Sequence, residues 1–242
     1  MKKIQVVLFI LLFSGILKAQ NASEIGGFFG QSFYLGDLNK EKLFKNPALS
    51  VGAFYRYVLN PRYAIRTSLT YGSLKGDNSN IYNEAPQSDP PNMWPFSFNT
   101  IVVDLTIQFE FNFKKFEYSS RKLTYSPYIS GGLGMGYYNK AVAYNYDRIL
   151  YPSGPDDPTP ANTYNLIIPF GLGVKVNFSR RLSGAVLWEF RKTFMDDLDG
   201  YENIQDPGFS SNLHNNDWYY FVGITLSYKI NYMKTLCPAY ED

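Results

Sequence analysis

FNTIVVDLTIQFEFNF, the stretch from Phe98 to Phe113, decides the fold. Ile101, Val103, Leu105, Ile107, Phe109, Phe111 and Phe113 share one parity; Thr100, Val102, Asp104, Thr106, Gln108, Glu110 and Asn112 share the other. A strand sends alternate side chains to opposite faces, so this segment has one apolar face and one mostly polar, acidic face. A helix would scatter the same residues around its circumference. At about 3.3 Å per residue the run is long enough to cross a bilayer along a tilted path.

The alternation recurs along the chain. Ser23 to Tyr34 is a Gly-rich first strand. Ala48–Leu59 sets Leu49, Val51, Ala53, Tyr55 and Tyr57 against Ser50, Gly52, Phe54 and Arg56; Asn60-Pro61-Arg62 is a tight turn. Tyr63–Ser73 follows, and the opening stretch is the fourth strand. Tyr125–Asn139 is a Gly-laced fifth, and Tyr164–Phe178 sets Leu166, Ile168, Phe170, Leu172, Val174 and Val176 against Asn165, Gly171, Gly173, Lys175 and Asn177. After the turn Ser179-Arg180-Arg181 come Leu182–Phe194 and Trp218–Ile230. Turns 2–3 and 6–7 are short, whereas connections such as Gly76–Pro95 and Lys140–Thr163 are long and rich in Pro, Asn and Asp. Short turns on one rim and long loops on the other are the pattern of outer-membrane barrels, with the short turns periplasmic. Turn 4–5, Lys114–Thr124, is a longer, basic exception.

A soluble barrel has the same alternation turned inside out. Two features favour the membrane. The polar parity is small or charged: Gly52, Gly132, Gly134, Gly171 and Gly173 lie with Arg56, Arg66, Asp104, Glu110, Glu189 and Arg191, which are predicted to pair as a charge network in a narrow lumen. Aromatic residues also gather at strand ends. Tyr57, Tyr63, Phe111, Phe113, Phe178, Tyr228 and Tyr232 mark the short-turn rim, and Tyr71, Phe98, Tyr137, Tyr164 and Trp218 the other. The expected fold class is all-β, an eight-stranded antiparallel transmembrane β-barrel of outer-membrane type over residues 20–232.

The ends are consistent with export. Lys2 and Lys3, the apolar run Ile4–Phe13 and the boundary Leu17-Lys18-Ala19 predict a signal peptide over residues 1–19. The formal charge of +2 falls to −1 once Lys2, Lys3 and Lys18 leave with it, so no basic excess supports nucleic-acid binding. Residues 233–242 form a tail that barrel topology places in the periplasm.

With one Cys and one His, most metal and nucleophile chemistry has no residues to run on. His214, with Ser210, Ser211 and Asp217 nearby, is the one constellation that a lipid-modifying enzyme would need, but its spacing is no motif. Asp196-Asp197-Leu198-Asp199-Gly200 clusters oxygen ligands without the spacing of a calcium loop. No catalytic, cofactor or metal residue is therefore expected. Cys237 in the tail has no internal partner in an oxidising compartment, and is a candidate for a disulfide to a periplasmic protein.

Several segments resemble a known family. Glu24-Ile-Gly-Gly-Phe-Phe-Gly with Tyr34-Leu-Gly-Asp-Leu-Asn39, the run from Phe54 to Arg66, Ile168–Lys175, Glu189–Asp196 and Tyr220–Tyr228 are similar to PorG, the small outer-membrane protein of the type IX secretion system. The resemblance implies a role without catalysis, docking the periplasmic ring proteins PorK and PorN to the outer membrane. Contacts to such a ring are expected on the periplasmic rim, at Lys114, Lys115, Arg121, Lys122, Arg180, Arg181 and the tail with Cys237, while the barrel wall meets outer-membrane lipid. A small structural or adhesive barrel is the alternative, and a lipid-modifying enzyme a third reading.

Overall fold

The computed structural model describes residues 22–36, 43–77, 96–118, 123–145, 160–194, 198 and 217–231. They form eight strands: β1 (Ser23–Leu35), β2 (Ala48–Val58), β3 (Tyr63–Asp77), β4 (Phe96–Asn112), β5 (Thr124–Tyr144), β6 (Ala161–Asn177), β7 (Leu182–Lys192) and β8 (Trp218–Asn231). Each pairs antiparallel with its sequence neighbour, and β1 pairs with β8 to close the barrel. Closure leaves no sheet edge, the condition a sheet must meet to span hydrocarbon.

The register fixes the stagger. One row of paired residues runs Val174, Val186, Ile224, Phe29, Val51, Tyr71, Val103, Tyr137 and Tyr164. It leaves β6 at Val174 and returns to β6 at Tyr164, ten residues away. A stagger of this kind goes with strands tilted by roughly 35–45° and an interior just wide enough for side chains to fill.

Burial is inverted relative to a soluble protein. Leu69, Leu105, Ile107, Leu133, Leu166 and Leu226 are more than half exposed, while Arg56, Arg66, Asp104, Glu110, Lys175 and Arg191 are buried. A continuous apolar wall of that extent is stable only against lipid. Aromatic residues flank it: Tyr63, Phe113, Tyr125, Phe178 and Tyr228 at the short-turn end, and Tyr71 and Tyr164 at the other. The protein is an outer-membrane β-barrel.

Several strands run further than their apolar alternation. β3 continues to Asp77 and β5 to Tyr144, taking in residues read as loop, and β6 begins at Ala161. Their outward positions carry Lys75, Asp77, Ala141, Ala143 and Asn162, without the large apolar side chains of the wall below. Asn139, the last residue of β5 as read, donates to the side chain of Asn162 in the β6 extension at 2.6 Å across the ladder. Phe98, expected in the outer girdle, instead points inward and is 3% exposed, as its parity with Thr100 and Val102 requires.

Two outward aromatics, Phe33 and Tyr220, are nevertheless buried. The segment before β2 folds back over them. The Phe44 N–H donates to the Tyr220 hydroxyl at 2.7 Å, and its ring meets Phe33 edge-on at 5.3 Å. Phe44 holds a φ of 65°, an unusual conformation for a bulky residue, which these contacts sustain.

Candidate functional site

The lumen is where the chain concentrates its polar chemistry. Parity aims one residue in two inward, and the sharp curvature of an eight-stranded barrel brings strands far apart in sequence within side-chain reach. Arg56 on β2 donates to Glu110 on β4 from Nε at 2.8 Å and Nη2 at 3.3 Å, and from Nη1 to Glu24 on β1 at 2.5 Å. Glu110 also receives Lys175 of β6 at 2.6 Å and lies 3.3 Å from Nε of Arg66. Arg66 on β3 bonds Gln108 at 2.5 Å and pairs with Glu189 of β7. Arg191 donates to Glu189 at 3.1 Å and to Asp104 at 3.2 Å. Asp104 in turn accepts the Tyr219 hydroxyl at 2.7 Å, which is 3.1 Å from that of Tyr138.

One chain of hydrogen bonds and ion pairs therefore runs from Tyr138, through Asp104, Glu189 and Glu110, to Glu24. All six residues of the expected network lie in it: Arg56, Arg66, Asp104, Glu110, Glu189 and Arg191. The acids are all engaged by cations, the condition for charges to persist away from water. Glu24, Lys175 and the lower Lys229, which donates to Asn177 and to the Ser179 carbonyl, join the lumen beyond that set. Lys175 and Lys229 stood on the polar parity in sequence. Glu24 begins a Gly-rich strand whose alternation is too weak to show it.

Among the described residues, side chains pack across the lumen at both ends. At the periplasmic end the turn after β4 folds inward. Phe116 and Tyr118 pack edge-on at 4.8 Å against Ala22 and Val58, and the Phe116 N–H donates to the Pro61 carbonyl at 2.9 Å. At the other end Tyr34, Leu74, Phe96, Phe98, Val102, Tyr138, Ile167, Tyr219 and Phe221 form an apolar layer that includes Leu198 from the connection before β8. Leu198 is held by its N–H to Asp217 at 3.0 Å and by its carbonyl, which accepts Thr100 at 2.7 Å. Between these plugs a cavity of about 20 Å³ beside Arg66, Glu189 and Arg191 has room for about one water. Among the described residues, the arrangement binds the charges of the lumen to one another.

On the periplasmic rim Lys114 and Lys115 are exposed in the turn after β4, and Arg180 and Arg181 in the turn after β6. Arg121, Lys122, His214, Cys237, most of the acidic stretch at 196–200 and the expected signal peptide lie outside the described residues. Asp217, considered as an orienting acid for His214, has one oxygen on the Tyr34 hydroxyl at 2.6 Å and the other on Leu198. Among the described residues no group of three or more His, Cys, Asp or Glu could hold a metal ion.

Solved structures with a similar fold include Ail, the attachment invasion locus protein of Yersinia pestis (14% identity, TM-score 0.46, 87% of this chain and 99% of that one). A major outer membrane protein from Thermus thermophilus is similar at 14% identity and TM-score 0.42, over 86% and 99% of the two chains. The N-terminal β-barrel domain of Pseudomonas aeruginosa OprF is similar at 13% identity and TM-score 0.39, over 87% and 98%. No curated protein matches the sequence. A family model described as a domain of unknown function (DUF6089) matches residues 2–239, and the chain belongs to that family.

Proposed function

We propose that this protein is a structural or adhesive outer-membrane barrel, neither channel nor enzyme, that acts through its rims and not its interior. The carrying observation is the lumen, filled by the Glu24–Arg56–Glu110–Arg66–Glu189–Arg191–Asp104 chain and stoppered by Phe116 below and Leu198 above. Among the described residues, side chains fill the space a solute would need, and each lumen acid is held by a cation. Planar-bilayer recording tests this: no discrete conductance steps are expected, and a steady ion current through folded protein would refute it.

A second reading gives those rims a specific task, docking the periplasmic ring of the type IX secretion system. The resemblance to PorG supports it, and so does the turn after β4. Its Phe116 and Tyr118 are anchored in the barrel floor while Lys114 and Lys115 stay exposed, a fixed basic surface facing the periplasm. Arg180 and Arg181 add to that surface, and a disulfide from Cys237 to a ring protein would make the contact covalent. Affinity capture of the ring proteins with this barrel, lost on reversing the charges of Lys115 and Arg180, is the expected result. Intact ring assembly in cells lacking the protein would count against the docking role. A reducible higher-mass band on non-reducing gels is expected if Cys237 is linked.

A further inference from the structure

Two of the basic residues on the periplasmic rim do not point away from the barrel. Lys114 folds back on the outer wall, where its Nζ donates to the Tyr125 hydroxyl at 3.0 Å and lies 4.3 Å from the ring centre. Arg181 does the same on β8, donating from Nη1 to the Tyr228 hydroxyl at 2.9 Å. Both tyrosines point outward and are exposed, Tyr125 by 59% and Tyr228 by 43%. Exposed Phe178, in the turn after β6, and exposed Leu182, which opens β7, lie between them.

The backbones of both cations are pinned. The Ser126 hydroxyl accepts the Lys114 N–H at 3.2 Å and donates to its carbonyl at 2.8 Å. The Lys229 N–H donates to the Arg181 carbonyl at 2.9 Å. The two positions are thus set before any ligand arrives, which lowers the entropy lost on binding.

We infer that Lys114–Tyr125 and Arg181–Tyr228 are two phosphate-binding dyads for phospholipids of the periplasmic leaflet. In each, the tyrosine oxygen accepts from the cation, so its own O–H is left to donate outward. Lys114 keeps two further N–H groups and Arg181 four. A cation and a hydroxyl then converge on one anion, beside an apolar wall that takes acyl chains. Position selects the source. The dyads lie on the wall at the aromatic girdle, the level of lipid headgroups, whereas a periplasmic protein meets the turn tips at Lys115 and Arg180 first. The ligand is a headgroup phosphate, and a net anionic phospholipid is favoured over a zwitterionic one because each dyad sets a fixed positive charge against it.

The inference does not rest on ring docking: it assigns Lys114 and Arg181 to lipid and leaves Lys115 and Arg180, at the turn tips, for any ring contact. The test uses full-length protein folded in nanodiscs of equal parts phosphatidylglycerol and phosphatidylcholine, with lipids retained on release counted by native mass spectrometry. Wild type is expected to enrich phosphatidylglycerol, and Lys114→Gln with Arg181→Gln to lower the enrichment by about fivefold per cation removed. Tyr125→Phe with Tyr228→Phe, which keeps every charge, is expected to lower it by a smaller factor. Millimolar inorganic phosphate is expected not to displace the lipid. Unchanged enrichment in both double variants overturns the inference. Displacement by free phosphate replaces the lipid with a soluble anion, and loss of ring-protein capture with unchanged lipid retention reassigns the dyads to a protein; either result also overturns it.

Discussion

Arg56 and Glu110 face each other across the lumen, joined by two nitrogens at 2.8 and 3.3 Å, and Glu110 accepts Lys175 at 2.6 Å besides. With Arg66 at 3.3 Å, three cations surround one carboxylate. Removing any single cation leaves the acid two others. Removing the acid leaves three cations short of a partner.

Glu110→Ala is therefore expected to be far more damaging than loss of an exposed charge. Breaking a buried ion pair from one side costs about 3–5 kcal/mol; here Arg56 and Arg66 keep Glu24 and Glu189, while Lys175 stays buried without the carboxylate it pairs with. Urea unfolding in detergent micelles checks this. Lys115→Ala, on the exposed turn, is expected to stay within about 0.5 kcal/mol of wild type.

Phe116→Ala separates the plug from the filling. Truncating a well-packed phenylalanine is expected to cost about 3–5 kcal/mol. Yet the charge network lies above Phe116 and does not depend on it for partners. The variant is expected to remain silent in planar-bilayer recordings. Discrete conductance steps in it would mean that the floor, and not the ion pairs, closes the barrel.

Asp217→Ala is expected to loosen the upper plug alone. The substitution takes away the carboxylate that accepts both the Tyr34 hydroxyl and the Leu198 N–H, and a buried hydrogen bond lost from one side costs about 1–3 kcal/mol. Hydrogen exchange should quicken at Leu198 while amides of β4 keep their wild-type protection.

How far the fold could be read from the sequence follows from what period two encodes. Parity placed Asp104, Glu110, Glu189 and Arg191 in the lumen correctly, because a strand has only two faces. Parity says nothing about register, so it could not reveal that Arg66 meets Glu189, 123 residues away, or that Glu24 closes the lower end. Strand ends were read short where β3 and β5 leave the hydrocarbon and lose their apolar face. Phe98 shows the opposite error, an aromatic residue near a strand end assigned to the girdle against its own parity. The plugs at Phe116, Tyr118 and Leu198 come from connections, where no periodicity applies and burial depends on contacts with distant strands.

Gly131 and Gly132 are neighbours on β5 with opposite expectations. Gly132 points inward, and a Cβ there would meet the Ile107 carbonyl and lie 2.7 Å from the Gln108 Cα. Backbone cannot step aside as a side chain can, so Gly132→Ala is expected to cost about 1–3 kcal/mol. Gly131 points to lipid, and nothing lies within 4 Å of an added Cβ. A glycine inside a strand loses more conformational freedom on folding than alanine does, so Gly131→Ala is expected to stabilise by about 0.5 kcal/mol or slightly more. Urea midpoints of the two single variants, measured in the same detergent, should move in opposite directions. If both fall together, crowding at the β4–β5 ladder is not what requires glycine at position 132.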